Sequence, residues 1–293
     1  MAAFSTVAFC QEQGNELFKV GHKMNPHEGA VPTGSTGQQL PAITNHGGPV
    51  MSGTPVVYLI WYGNWNQQNG SDTPVGQGLV NTFLGNLSGS PYETINSTYS
   101  STNGTVTGKF TVGQSIIDSY SQGSRLSDNK VQAIVSKALT SGALPTMTNA
   151  IYFVLTSTDV SESSGFCSRY CGWHTYGTIA GSNIKYSFVG NANRCLSGCA
   201  AQTTSPNGNA GVDGMISVIA HELEEAISDP NLNAWYDSNG SENADKCAWT
   251  FGHSLSTLPN GAQYNVTLGG VNFLVQRNLS GADSTCYISL GQQ

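Results

Sequence analysis

His221 and Glu225 stand one helical turn apart in the run His221-Glu222-Leu223-Glu224-Glu225, a spacing that lets one divalent metal ion touch an imidazole and a carboxylate together. Asp229 follows a turn later. At about 100° per residue these three fall within an arc of roughly 80°, with Glu222 beside them. A His-Glu-x-x-His helix binds zinc through its two histidines and uses the glutamate as general base. Here Glu225 takes the second ligand position, and carboxylate oxygen is an accepted zinc ligand. The pair supplies only two ligands, so a third must come from elsewhere. Glu242, in the loop that follows, is the first choice; Asp229 and Asp245 are alternatives, or groups that orient the ligands. Glu222 is then the general base that takes the proton of an attacking water. Tyr236 or His253 is available to stabilise an oxyanion.

Charge points the same way without any motif. Glu222, Glu224, Glu225 and Asp229 crowd one end of the helix, and no Lys or Arg occurs between Asp213 and Lys246. Like charges at i,i+4 repel, and anions near a helix C-terminus oppose its macrodipole, each by about 1 kcal/mol or less. A solvated acidic face would absorb terms of that size. The continued run of acids at Asp237, Glu242 and Asp245 favours a cation instead. The alternative to zinc is calcium or another structural ion on the hard oxygens of Asp229, Asn231, Asn233, Asp237, Asn239, Glu242 and Asp245, which do not follow the EF-hand pattern. Zinc implies peptide hydrolysis; calcium implies a non-catalytic wall, sheath or filament protein, with a matrix component or further copies of the chain as partners.

The elements that hold these residues read as β–α–β–α–β–β–helix. Val56 to Tyr62 is apolar on both faces and is a central strand beginning at Pro55. Leu79, Val80, Phe83, Leu84 and Leu87 predict a helix over 78–87. Residues 91–108 read as loop or edge strand, and 109–120 include a strand. Ser127 and Asp128 start a helix over 130–140. Residues 150–157 form a second buried strand, and Cys-rich loops enclose another at 185–190. The metal-motif helix spans about 213–229, with Asp213 or a residue near it as its cap and Pro230 as its end. Gly269-Gly270 joins a hairpin over 263–277. This order predicts an α/β (α+β) fold, a mixed sheet with packed helices in one main domain over 51–293, arranged like a zincin with its active-site helix beneath the sheet. Residues 1–50, with Pro26, Pro32, Pro41 and Pro49, read as an irregular N-terminal arm.

Composition narrows the class. Charged residues make up 10% of the 293, against 35 Gly, and the net charge is −7 with 11 basic residues, which argues against a nucleic-acid binder. No apolar run reaches the roughly 18 residues of a membrane span. Of the seven cysteines, Cys167, Cys171, Cys195, Cys199, Cys247 and Cys286 read as three disulfides of unassigned pairing in a secreted protein, with Cys10 left over. His174 then reads as a loop histidine beside a bridged Cys171 rather than as part of a thiol catalyst. Trp61, Tyr62 and Trp65 read as core aromatics before cleft lining. Sequons begin at Asn69, Asn86, Asn96, Asn103, Asn239, Asn265 and Asn278, and Asn239, inside the acidic loop, is expected to carry no glycan.

Gly47-Gly48-Pro49 followed by Val57-Tyr58-Leu59-Ile60-Trp61-Tyr62-Gly63 resembles the opening of the phosphate-induced, EXORDIUM-like family of secreted proteins. Further matches are Cys167 to Gly172, Phe188-Val189-Gly190-Asn191 leading to Cys195 and Cys199, and Gly211-Val212-Asp213-Gly214-Met215. Together they cover roughly residues 45–230. The resemblance implies an extracellular protein; plant members of the family are wall-associated and linked to growth, with a more apolar helix that lacks the His-Glu pair. Microbial relatives keep that pair, followed by the features found here as Asp229-Pro230, Trp235-Tyr236-Asp237, Glu242, Asp245 and Cys247.

Overall fold

The computed structural model describes Phe18–Lys19 and residues 42–291. Most of the expected N-terminal arm, with Cys10, Pro26, Pro32 and Pro41, lies outside the described residues. Residues 42–50 pack into the domain: Ile43 and Val50 are buried in its core, and Thr44–Asn45 pairs antiparallel with Trp235–Tyr236.

Six strands build the main sheet: β1 (Phe18–Lys19), β2 (Val56–Tyr62), β3 (Thr111–Asp118), β4 (Ala150–Thr156), β5 (Gly172–Ile179) and β6 (Ser182–Gly190). Their order across the sheet is β1-β5-β6-β4-β2-β3. The pairs β6–β4, β4–β2 and β2–β3 are parallel, whereas β1–β5 and β5–β6 are antiparallel, so the sheet is mixed. All seven residues of β4 are buried, as continuous apolar runs covered on both faces must be. The parallel crossovers are α1 (Pro74–Leu87) and α2 (Asp128–Thr140). α1 starts earlier than its apolar spacing predicts because Thr73 accepts the Gly76 N–H and Pro74 fits the first helical position.

β5 was hidden in sequence among the Cys-rich loops. It forms a hairpin with β6 through Ala180-Gly181, whose positive φ values of 51° and 75° match a primed turn. Alanine in the first turn position masks the signal that Asn-Gly would have supplied. Side chains alternate along β5, and its two faces meet different helices. A Cβ on Gly172 would fall 2.7 Å from Val218 Cγ1, and one on Gly177 would fall 2.7 Å from Gln132 Nε2 of α2.

Val218 belongs to α3 (Ala210–Ser228), the metal-motif helix, which also packs against α1. Its N-cap is Asn209, four residues before Asp213: the Asn209 side chain accepts the Val212 N–H at 3.1 Å. Asp213 lies in the first turn and accepts from Asn207 Nδ2 at 2.7 Å. Every residue from Gly214 to Ser228 is buried, Glu222, Glu224 and Glu225 included. The solvated acidic face is therefore overturned, because sheet and loops seal α3 on all sides. Residues 91–108 form a 3-10 helix, Glu93–Thr98, and a short ribbon, Ser100–Ser101 with Gly104–Thr105. The Gly269-Gly270 hairpin joins β7 (Val266–Leu268) to β8 (Val271–Phe273) as expected.

Three disulfides tie this framework: Cys167–Cys195, Cys171–Cys199 and Cys247–Cys286. The first two clamp the segment before β5 to the segment after β6, and the third ties the acidic loop to the C-terminal residues. Loops of this length gain about 3–4 kcal/mol each from the reduced entropy of the unfolded chain. Trp61, Tyr62 and Trp65 are buried in the core. Among the described residues no helix is long and apolar enough to cross a membrane.

Candidate metal centre

α3 projects His221 and Glu225 toward the acidic loop, and β5 adds a residue that sequence reasoning did not select, His174. His174 shares the face of β5 that carries Gly172, since residues two apart point the same way, and its ring is 1% exposed. Its Nε2 lies 2.9 Å from Glu242 Oε2 and 3.7 Å from Glu225 Oε2. On the other side of Glu225, Oε1 lies 3.0 Å from His221 Nε2, which is 3.5 Å from Asp245 Oδ1. Two donor triads result, His174–Glu225–Glu242 and His221–Glu225–Asp245, each with ligand atoms within 4.8 Å of one another.

Backbone groups hold the acids in place. Asp245 N–H donates to Glu225 Oε1 at 3.0 Å, and Glu242 N–H donates to Asp245 Oδ2 at 3.2 Å. Glu222 lies beneath Gly172, where a Cβ would sit 3.0 Å from its Oε1, so any other residue at 172 would press on the carboxylate. Several buried atoms make no hydrogen bond: His221 Nδ1, both Glu222 oxygens and Glu242 Oε1. Buried polar atoms are normally paired. This set combines imidazole nitrogen with carboxylate oxygen, and the separations resemble the roughly 3.3 Å edges of a tetrahedron whose centre is about 2.0–2.1 Å from each donor. The residues present fit a zinc-type ion. Two imidazoles make them a poorer fit to calcium, which takes six to eight oxygens.

Electrostatics in the metal-free chain agree. Burial pushes His174 down to about 3, leaving a neutral ring able to ligate. For His221 burial opposes charge, but Glu225 and Asp245 outweigh it and hold the ring well above its ordinary value. Burial and the Asp245 charge raise Glu225 to about 7 against the lowering effect of His221. Burial, then Glu225, raises Glu222 and Glu242 well above the carboxylate range. Glu222, Glu225 and Glu242 are held in a state that a divalent charge would relieve.

Glu242 and Asp245 thus both converge on the helix pair. Asp229 stays outside both triads. Its Oδ1 accepts from the Asn233 and Ala234 N–H groups at 2.7 Å, closing the turn after α3, while its charge acts on Glu242. Asp237 likewise spends its oxygens locally, on Asn239 N–H, Ser241 N–H and Lys246. Tyr236 stacks on His46 with ring centroids 3.7 Å apart, and His253 is exposed. Neither joins the cage.

Glu224 points elsewhere, toward Glu93 of the 3-10 helix. Asn278 Nδ2 donates to Glu224 Oε2 at 3.0 Å, and Asn96 Nδ2 donates to the Glu224 carbonyl at 2.9 Å. Burial raises Glu93 to about 8, although its hydrogen bond with Glu224 works against the rise. The network also explains the sequons. Asn96 and Asn278 are buried, and Asn265 Nδ2 donates to the Phe251 and Val275 carbonyls. Asn69, Asn86, Asn103 and Asn239 are exposed.

Residues 43–288 match the conserved region of phosphate-induced protein 1. The chain is 30% identical over 281 residues to the protein EXORDIUM-like 3 of Arabidopsis thaliana, covering 82% of this chain and 81% of that one. It is 32% identical over 273 residues to EXORDIUM-like 5 of the same plant, covering 79% and 73%. To the protein PHOSPHATE-INDUCED 1 of Nicotiana tabacum it is 26% identical over 286 residues, covering 82% and 86%. No solved structure matches the chain.

Proposed function

The chain belongs to the phosphate-induced, EXORDIUM-like protein family, and we propose that within it this member is an exported, zinc-dependent peptide hydrolase. The convergence of His221, Glu225, His174, Glu242 and Asp245 around buried, unpartnered atoms carries the reading. His221 and Glu225 hold the ion from α3, with Asp245, Glu242 and His174 completing its surroundings. Bound there, zinc supplies Lewis acidity, polarising a carbonyl and lowering the pKa of water.

The chain's own residues do the rest. Glu222 follows His221 directly, has two oxygens with no hydrogen-bond partner, and lies within the field of Glu225 and His221. It is the base that accepts the proton of the attacking water and returns it to the leaving amine. The Asp245 and Glu242 N–H groups fix the carboxylates they contact, so the donors need not reorganise. Asp245, with 19% of its side chain exposed against 3% or less for the other donors, marks the side from which solvent and substrate enter. β1 is the edge strand on this side of the sheet, antiparallel to β5 with Phe18 opposite His174; sheet edges take extended peptides by the same main-chain pairing. A motif helix beneath a mixed sheet, next to an antiparallel edge strand, supports the zincin-like arrangement. Three disulfides support an oxidising, extracellular location.

The test combines zinc analysis of the native protein with cleavage of an unfolded protein substrate by wild type and Glu222→Gln. Bound zinc with a loss of about 10²–10⁴-fold in turnover on substitution is expected. Absence of zinc, together with unchanged cleavage by Glu222→Gln, would eliminate the hydrolase.

A further inference from the structure

We infer that Glu225 bridges two divalent cations, one held with His174 and Glu242 and the other with His221 and Asp245. The inference rests on the metal-dependent reading of the same residues and specifies how many ions they take. Its first support is the way Glu225 divides its oxygens. Oε2 faces His174 and Oε1 faces His221, so each oxygen belongs to a different imidazole and a different triad. A carboxylate serving one ion would turn one or both oxygens to a common point; a carboxylate between two ions presents one to each. Two-metal hydrolytic sites hold their ions about 3.5–4 Å apart, a span that the two oxygens of one carboxylate bridge.

The donor set gives a second support. Among the described residues, Glu225, Glu242 and Asp245 form ion pairs with His174 and His221 alone, while Lys246 is taken by Asp237. Glu225 is shared by both triads, and each triad adds one imidazole and one further acid of its own. Each triad also has a residue with an unpartnered atom: Glu242 in the first, through Oε1, and His221 in the second, through Nδ1. The mixed imidazole and carboxylate donors select zinc or a neighbouring first-row ion for both positions.

The positions differ in access. His174 and Glu242 have 1% exposed side chains, whereas Asp245 has 19%. The ion beside Asp245 exchanges first, and the ion beside His174 is retained longer.

Elemental analysis of the full-length native protein, dialysed against zinc at about ten micromolar and then buffer, tests the count. Two zinc ions per chain are expected, leaving in two kinetic phases under a chelator. Asp245→Asn should retain one ion and lose the fast phase, and Glu225→Gln should lose both. Cobalt substitution of the wild type, expected to show magnetic coupling between two Co(II) ions, gives a readout that requires no variant to fold. One zinc per chain with an uncoupled cobalt spectrum would overturn the bridge while leaving the hydrolase reading intact. No bound metal would overturn both.

Discussion

Glu224 and Glu225 are adjacent on α3 and equally sealed from water, yet they meet different surroundings. Glu225 meets two imidazoles and two further acids. Glu224 meets one acid, Glu93, and a belt of asparagines: Asn278 Nδ2 bonds its carboxylate and Asn96 Oδ1, and Asn243 Nδ2 also bonds Asn96 Oδ1. Two ionised carboxylates cannot face each other at this depth, so one of the Glu93–Glu224 pair keeps its proton and donates it to the other. A helix can thus bury acid in two ways, by retaining a proton or by gathering a cation. Lone-pair nitrogen distinguishes them: the cage has it, and the pair has none.

The largest expected effect separates the two by chelation. An ion present at a thousand times its dissociation constant adds about 4 kcal/mol of stability. Stripping it should lower Tm on the order of 10 °C in a chain of this size. Glu224→Gln should keep that response and Glu225→Gln should abolish it, as followed by calorimetry with and without chelator. An equal response in both variants would erase the distinction.

Removing the asparagine support of the pair comes next. Asn278→Ala takes away the Nδ2 donor to both Glu224 and Asn96 and should cost about 2–3 kcal/mol. Metal content should stay at the wild-type level in the same preparation, and a parallel loss of metal would mean that the two acid sites are one.

Acidity supplies a subtler contrast. In the metal-free protein Glu93 has its pKa raised from 4.5 to about 8, and Glu225 from 4.5 to about 7. Between the lower and upper values the folded chain keeps protons that the unfolded chain has released, so folded stability must fall as pH rises through that window. Urea midpoints of chelated protein should therefore be lower at pH 8 than at pH 5. Metal-loaded protein should lose less, because the ion replaces the proton at Glu225 but not at Glu93. Chelated protein that gains stability over the same range would contradict the proton-sharing pair.

The smallest effect belongs to Glu224→Gln itself. A neutral amide in place of an acid that already shares a proton should change stability by about 1 kcal/mol or less at pH 6, measured by urea unfolding. A loss of several kcal/mol would show that Glu224 is needed as an ion.

What could be read from residue order follows the range of the contacts. His221, Glu222 and Glu225 are legible because one helix sets their spacing, and Glu242 and Asp245 because acids cluster in the loop just after it. β2, β4 and the Gly269-Gly270 hairpin are legible for the same local reason, an apolar run or a turn pair. His174 is not, since it lies 47 residues before His221 and on a strand whose turn begins with Ala180. Nor is the Glu93–Glu224 pair, whose asparagines reach across sequence separations of 128 and 182 residues. Asn96 and Asn278 look like glycan sites to a reader of triplets, while the fold buries both. Asn209 and Asp213 are both good caps by type, and only the start of the helix decides between them.

Diffraction from native crystals on either side of the zinc absorption edge addresses the metal centre most directly. The account predicts an anomalous peak at about 2.0–2.2 Å from His221 Nε2 and Glu225 Oε1. A map without anomalous density there, in which protons and water join the imidazoles to the acids as a proton joins Glu93 to Glu224, would contradict it.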